Sequence, residues 1–77
     1  MPKKESVYPN LRAELTRYSI TAEDLGNLLG IARPNVYTRL AGEKDFLLSE
    51  MITIQTYLEL KTAKKFELEY LFSREAI

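Results

Sequence analysis

Five residues near the middle of the sequence have side chains suited to the edges of nucleic-acid bases: Arg33, Pro34, Asn35, Tyr37 and Thr38. Arginine can donate two parallel hydrogen bonds to guanine, while asparagine, tyrosine and threonine can bond bases or phosphates. Proline has no N–H group, so any role for Pro34 is a van der Waals contact that depends on shape complementarity. We therefore predict that this segment makes base contacts in duplex DNA.

Three of these residues also have interpretations without a base contact. Arg33 is equally explained as a solvated arginine at a helix start or as a phosphate contact, and Asn35 as ordinary helix-start polarity. Tyr37 could touch a thymine methyl group or a phosphate, or it could be a half-buried surface aromatic residue.

The candidate contacts to DNA phosphates are Thr21, Arg39 and Lys44. Lys44 follows the base-contact segment in a polar loop, where a flexible cation suits a phosphate. Arg39 points away from the side expected to face the groove, so a surface ion pair is its alternative role. Lys3 and Lys4 of the N-terminal arm could also reach DNA, but lysines in a disordered terminus are common, so a contact between the arm and DNA is left open.

The composition disfavours catalysis and metal binding. The 77 residues include neither histidine nor cysteine, which removes the commonest general base and metal ligands. Glu67 and Glu69 have no partner with which they could act as an acid–base pair. We predict no enzymatic activity, no catalytic residue, no metal or other cofactor and no small-molecule ligand.

The net charge is a weaker guide to function. Eleven basic and eleven acidic residues cancel, a mild argument against a DNA-binding domain, since such domains are often basic. Residues 1–44 carry seven basic and five acidic residues, net +2, and residues 45–77 carry four and six, net −2. The excess of positive charge therefore falls in the half that contains the candidate site.

The length of the chain allows one small core. We expect a flexible arm over residues 1–7, one helical domain over 8–73 and a tail over 74–77. The charged N-terminus has no apolar stretch behind it, so no signal peptide is expected. No apolar run approaches the roughly 20 residues that span a bilayer, so no membrane contact and a cytoplasmic location are expected.

Caps, breakers and apolar spacing predict five helices and an all-α fold. The helices cover about residues 9–18, 21–29, 33–41, 48–58 and 66–72, with residues 61–65 as a loop or weak helical turn. Thr21 and Asp24 fit a capping box at the start of the second helix. Gly30 fits a C-cap at its end.

The second and third helices are expected to cross steeply over a very short turn. Gly26 leaves room for a close contact between them, and Gly30 reverses the chain. At about 100° per residue, Val36 and Leu40 define the buried side of the third helix, and the predicted base contacts turn outward. Such a helix fits the major groove.

This arrangement over residues 21–40 resembles the helix-turn-helix of the lambda-repressor-like (Cro and Xre type) regulators of phages and bacteria. The resemblance extends over about residues 9–58. The motifs that carry it are Leu28-Leu29-Gly30-Ile31, Leu40-Ala41-Gly42, Glu43-Lys44-Asp45-Phe46, Leu48-Ser49-Glu50 and Leu68-Glu69-Tyr70-Leu71-Phe72. The last three motifs look like a phage-type branch of the family.

The resemblance implies a compact five-helix domain that binds a double-stranded operator, usually of two-fold symmetry. It implies a homodimer, at least on DNA, and repression or switching of transcription in a bacterial host cell. Three positions depart from the family pattern. Ala22 stands where a phosphate-clamping Gln is frequent, Gly26 where Ala is usual, and Ala32 where a Ser often precedes the recognition helix.

A helical protein–protein interaction module, such as an antirepressor or adaptor, is the alternative function. The neutral net charge and Ala22 favour it, whereas the surface from Arg33 to Arg39 and Lys44 disfavour it. Aromatic residues near the C-terminus leave a further question open. Phe66, Tyr70 and Phe72 could close the core of the monomer or form a dimer face.

Overall fold

The structure, a computed structural model, describes residues 6–75 of the chain. This range is helical and contains no strand, so the predicted all-α class is confirmed. The helices are α1 (Pro9–Arg17), α2 (Ala22–Leu29), α3 (Arg33–Leu40), α4 (Leu48–Thr62) and α5 (Leu68–Leu71). The Cα radius of gyration is 11.5 Å, matching the value of about 11 Å expected for a compact chain of this length.

The two ends of α2 are set by the predicted signals. The backbone N–H of Asp24 donates to Thr21 Oγ1 at 3.1 Å, and the Thr21 N–H donates to Asp24 Oδ2 at 2.9 Å. This reciprocal pair is the expected capping box. At the other end, Gly30 adopts a φ of 73°, a left-handed conformation that a residue with a Cβ adopts only with strain.

The start of α3 agrees with the prediction, and its end differs by one residue. Arg33 and Pro34 occupy the first turn, where proline loses no helical hydrogen bond. Val36 is completely buried, and Leu40 packs against the core while half-buried, as the periodicity predicts. The helix ends at Leu40, and Ala41 forms its C-cap.

The predicted end of α4 is wrong, because the helix continues beyond Leu58 to Thr62. Residues 59–62 include good helix formers and no glycine or proline that would stop the helix. It stops at Ala63, which adopts a φ of 58° and donates its N–H to the carbonyl of Glu59. Ala63 gives no sequence signal for this ending. The last helix, α5, is shorter than the predicted 66–72.

The aromatic residues near the C-terminus close the core of the monomer. Phe72 packs its ring against Tyr8 and Phe46, with centroid separations of 5.7 and 5.4 Å. Phe66 is buried, and Tyr70 packs against the core while its hydroxyl donates to a carboxylate oxygen of Glu14 at 2.7 Å. Of the two interpretations left open by the sequence, core closure is the one observed.

The first described residues are hydrogen-bonded to the rest of the domain. Val7, which the sequence places in the arm, donates its N–H to the Leu40 carbonyl at 2.8 Å. Arg74, in the expected tail, pairs with Asp45 and lies over the ring of Tyr8. The arm residues 1–5, which include both lysines, and the tail residues 76–77 lie outside the described residues. No helix within residues 6–75 has the length and apolar character needed to cross a membrane.

Candidate nucleic-acid interface

One side of α3 is open to solvent over its first half. Arg33, Pro34, Asn35 and Tyr37 are all exposed, and Tyr37 keeps 51% of its surface accessible. The opposite side is closed, because Val36 between them has no exposed surface. The structure thus places four of the five predicted base-contact residues on the exposed surface of one helix.

The position of α3 depends on a close approach at Gly26. A Cβ atom built on this glycine would lie 2.7 Å from the carbonyl oxygen of Ile31, a distance that real Cβ atoms do not tolerate. The N–H groups of Gly30 and Ile31 both donate to the Gly26 carbonyl, at 2.8 and 3.0 Å. The turn between α2 and α3 therefore folds directly onto Gly26, which fixes where α3 begins.

Thr38, the fifth predicted base contact, is half-buried and has part of its hydrogen-bonding capacity in use. Its hydroxyl donates to the Asn35 carbonyl at 2.8 Å. A hydroxyl has a single proton to donate, so in this conformation the Thr38 oxygen acts toward a ligand as an acceptor. Phosphate oxygens offer no proton at neutral pH, whereas the exocyclic amines of adenine and cytosine do. The geometry thus suits Thr38 to a base better than to a phosphate.

The loop after α3 folds back onto the helix. The N–H groups of Glu43 and Lys44 both donate to the carbonyl of Thr38, at 3.0 and 3.3 Å. Gly42 adopts a φ of 79° at the turn that allows this reversal. The exposed Lys44 is thereby held at a fixed position beside the C-terminal end of α3, where its side chain can reach outward.

Arg39, predicted as a phosphate contact, occupies a different environment. It is only 9% exposed, and its Nε donates to Glu50 Oε1 at 3.1 Å while Nη1 donates to the carbonyl of Asn35 at 3.1 Å. The ion pair considered as its alternative role is therefore present, but it is buried rather than on the surface. We remove Arg39 from the candidate phosphate contacts. Glu50, its partner, was not identified from the sequence.

The third candidate phosphate contact, Thr21, is exposed but committed to the cap of α2. Its backbone N–H, followed by its hydroxyl, stabilises the carboxylate of Asp24 and holds the pKa of that group below its usual 3.8. The start of α2 therefore carries a negative charge beside Thr21. Because phosphate is also negative, this end of α2 suits a phosphate less well than the sequence suggested.

A shallow groove runs between α2 and the start of α3. Its volume is about 400 Å³, and it is lined by Glu23, Gly26, Asn27, Ile31, Ala32, Arg33 and Pro34. Arg33 is the cation on this surface and Glu23 the acid, so the groove is polar and nearly neutral. In the part of the chain that the structure describes, no three acidic residues come close enough together to hold a metal ion.

Comparisons of the chain with protein-family profiles, with curated protein sequences and with solved structures found no match. The functional interpretation therefore depends on the geometry of α2, α3 and the loop that follows them.

Proposed function

We propose that this protein is a sequence-specific regulator of transcription that binds duplex DNA, with α2 and α3 acting as a helix-turn-helix. The observation that carries the proposal is the one-sided packing of α3. Val36 holds one side in the core, and Arg33, Asn35 and Tyr37 remain exposed on the other. The resemblance of residues 21–40 to lambda-repressor-like regulators supports the same function, in the manner of a phage Cro-like repressor.

The exposed half of α3 has the size and chemistry of a groove-reading helix. The major groove of B-DNA is about 12 Å wide and admits one α-helix, whose N-terminal residues meet the base edges. In this pose Arg33 donates to guanine and Asn35 to adenine. Tyr37 contacts a thymine methyl group, Pro34 packs by shape, and Thr38 accepts from an exocyclic amine.

Arg33 is the residue on which specificity depends most in this proposal. Its guanidinium alone among the exposed α3 side chains can make two parallel charge-assisted bonds to one guanine. Arg33→Ala should weaken binding to the best site by about 1–3 kcal/mol, with the loss concentrated at one base pair per half-site. Arg33→Lys should retain part of the affinity and lose much of the base preference, because an ammonium lacks the planar fork.

The test is selection of bound sequences from a random duplex pool, followed by titration of each variant against all four bases at each position. Lys65→Ala, which removes an exposed cation from the segment between α4 and α5, is the matched control. Equal weakening of every sequence by Arg33→Ala would make Arg33 a phosphate contact. No salt-dependent binding to any duplex would refute the proposed function.

Lys44 is the phosphate contact that we propose beside α3. Because phosphate contacts release counterions, binding should weaken steeply as salt is added. Lys44→Ala should weaken binding to all sequences alike. It should also reduce the slope of the logarithm of the binding constant against the logarithm of the salt concentration by about one. An unchanged slope would exclude Lys44 as a phosphate contact.

We further propose that the protein binds its operator as a homodimer. One recognition helix reads only a few base pairs, which is too little to locate a single site in a genome. Two copies on a two-fold operator would place half-sites about 10 base pairs apart, or a multiple of that. Sedimentation and footprinting test this assembly, and a monomer that protects one short asymmetric site would contradict it.

A protein–protein interaction module is the second candidate function, and one observation favours it. Leu47 and Leu48 are each 61% exposed at the start of α4, and Ile52, one turn later, is 44% exposed. Exposed apolar side chains grouped along the start of one helix are suited to a contact surface. A shift assay on random duplex DNA at low salt discriminates between the two functions.

A further inference from the structure

The buried ion pair between α3 and α4 has no role in the function proposed so far. We infer that Arg39 is a positioning residue, which holds the DNA-reading surface of α3 at a fixed orientation by joining the Asn35 carbonyl to Glu50. This inference rests on the proposed DNA-binding function. It replaces the expectation that Arg39 touches a phosphate.

The geometry of the pair joins two helices through one planar group. Nε of Arg39 donates to Oε1 of Glu50, and Nη1 donates to the carbonyl of Asn35, each at 3.1 Å. The same Oε1 accepts the N–H of Leu47 at 2.9 Å, which ties the carboxylate to the start of α4. The side chains of Arg39 and Glu50 are only 11% and 12% exposed, so salt screens their attraction weakly.

This ion pair matters because the backbone of α3 lies close to few of the other helices. Among the five described helices, α3 packs its backbone against α2 alone, through the close approach at Gly26. The C-terminal end of α3 is held by the hydrogen bond from Val7 to Leu40. The ion pair between Arg39 and Glu50 adds a polar connection from α3 to α4 to the burial of Val36 in the core.

The turn of α3 whose carbonyl group Arg39 binds also carries two of the proposed base contacts. The Asn35 carbonyl accepts from Nη1 of Arg39 and from the hydroxyl of Thr38, so the two donors share one acceptor. Asn35 and Thr38 are both proposed base contacts. A shift of Arg39 would therefore move two base contacts together without removing either side chain.

Two conservative variants test the inference. Glu50→Gln keeps an acceptor for Leu47 but removes the charge opposite Arg39. Arg39→Lys keeps the charge but lacks the planar fork that spans both acceptors. If Arg39 positions α3, both variants should lower the ratio of specific to non-specific affinity about tenfold, the equivalent of one base contact. Their salt dependence should match wild type, because no phosphate contact is lost.

Glu14→Gln is the matched control. Glu14 is a second buried glutamate, 3% exposed, and pairs with Arg17 within α1, away from α3. It should lower the melting temperature without changing the specificity ratio. Amide hydrogen exchange without DNA adds a readout independent of binding. Exchange at Leu40 and Ala41 should accelerate in Glu50→Gln and Arg39→Lys, relative to Glu14→Gln.

The possible results separate the two proposals. Wild type that shows no preference among DNA sequences would refute the proposed function, and with it this role of Arg39. Wild type that discriminates, with Glu50→Gln and Arg39→Lys discriminating equally well, would overturn the positioning role alone. Tighter binding of Glu50→Gln to every sequence would also overturn it, since a released Arg39 would then be contacting phosphate. An equal loss of specificity in Glu14→Gln would show that the loss follows from general destabilisation, and it would overturn the positioning role of Arg39.

Discussion

Replacement of Gly26 by alanine tests the contact that places α3 against α2. Alanine is favoured over glycine in a helix interior by about 1 kcal/mol, so an open site would be stabilised by the change. Gly26 is not an open site, because the new Cβ would lie 2.7 Å from the backbone oxygen of Ile31. To reach ordinary contact distance, the α2–α3 turn must open by about 0.7 Å.

The cost of that opening exceeds the gain in helix propensity. The oxygen belongs to the backbone, so it cannot rotate away, and the Gly30 and Ile31 hydrogen bonds to Gly26 would lengthen with it. Overpacking of this kind costs about 1–3 kcal/mol. Subtracting the gain of about 1 kcal/mol leaves a net loss of up to about 2 kcal/mol. The melting temperature of a domain this size falls by roughly 4–8 °C for each kcal/mol.

Thermal and urea unfolding of Gly26→Ala measure the effect directly. Asn27→Ala is the control, because it exchanges a neighbouring exposed residue for alanine and should be neutral or slightly stabilising. Under the proposed function, specific DNA affinity should also fall in Gly26→Ala, since α3 is displaced. A Gly26→Ala variant that melts at or above the wild-type temperature would show that the close approach is not required.

Three further predictions concern the core and the ionisable groups. Val36→Asp should unfold the domain at 25 °C or cost about 4 kcal/mol, measured by urea unfolding, because it buries an unpaired charge. The pKa of Asp24 is lowered by hydrogen bonds from Thr21. The stabilising contribution of this carboxylate is therefore complete above pH 3.8 and disappears as the pH falls through the folded-state pKa. Thermal melts across that pH range should show that Asp24→Asn has lost this acid dependence. The hydrogen bond to Glu14, together with burial, raises the pKa of Tyr70 above 10.0. The contribution of this hydroxyl to stability is therefore present below pH 10.0 and is lost as the pH rises through the folded-state pKa. Tyr70→Phe should abolish that loss of stability at alkaline pH.

Local signals in the sequence predicted the part of the fold around α2 and α3. Thr21, Asp24 and Gly30 act on backbone groups within a few residues, and the structure shows each in its predicted capping role. The burial of Val36 followed from helical periodicity alone. These features need no knowledge of distant parts of the chain, which is why one sequence was enough.

Arg39 and Ala63 show what one sequence does not reveal. On a helical wheel Arg39 lies about 60° from Val36, within reach of the buried side, but an arginine is buried only when it has a partner. That partner is Glu50 on another helix, and no local pattern links the two. Ala63 ends α4 in a left-handed conformation that favours glycine or asparagine, and an alanine gives no local signal that places the end of the helix there.

The ring cluster of Tyr8, Phe46 and Phe72 has a consequence for the order of events during synthesis. Its members come from the beginning, the middle and the end of the described chain, and α1 packs against α5. While residues beyond Thr62 are still untranslated, the apolar side of α1 lacks its cover, although α2 and α3 can already form. A nascent chain arrested at that point should be cut readily by protease, and resistance should appear in one step once Phe72 has left the ribosome.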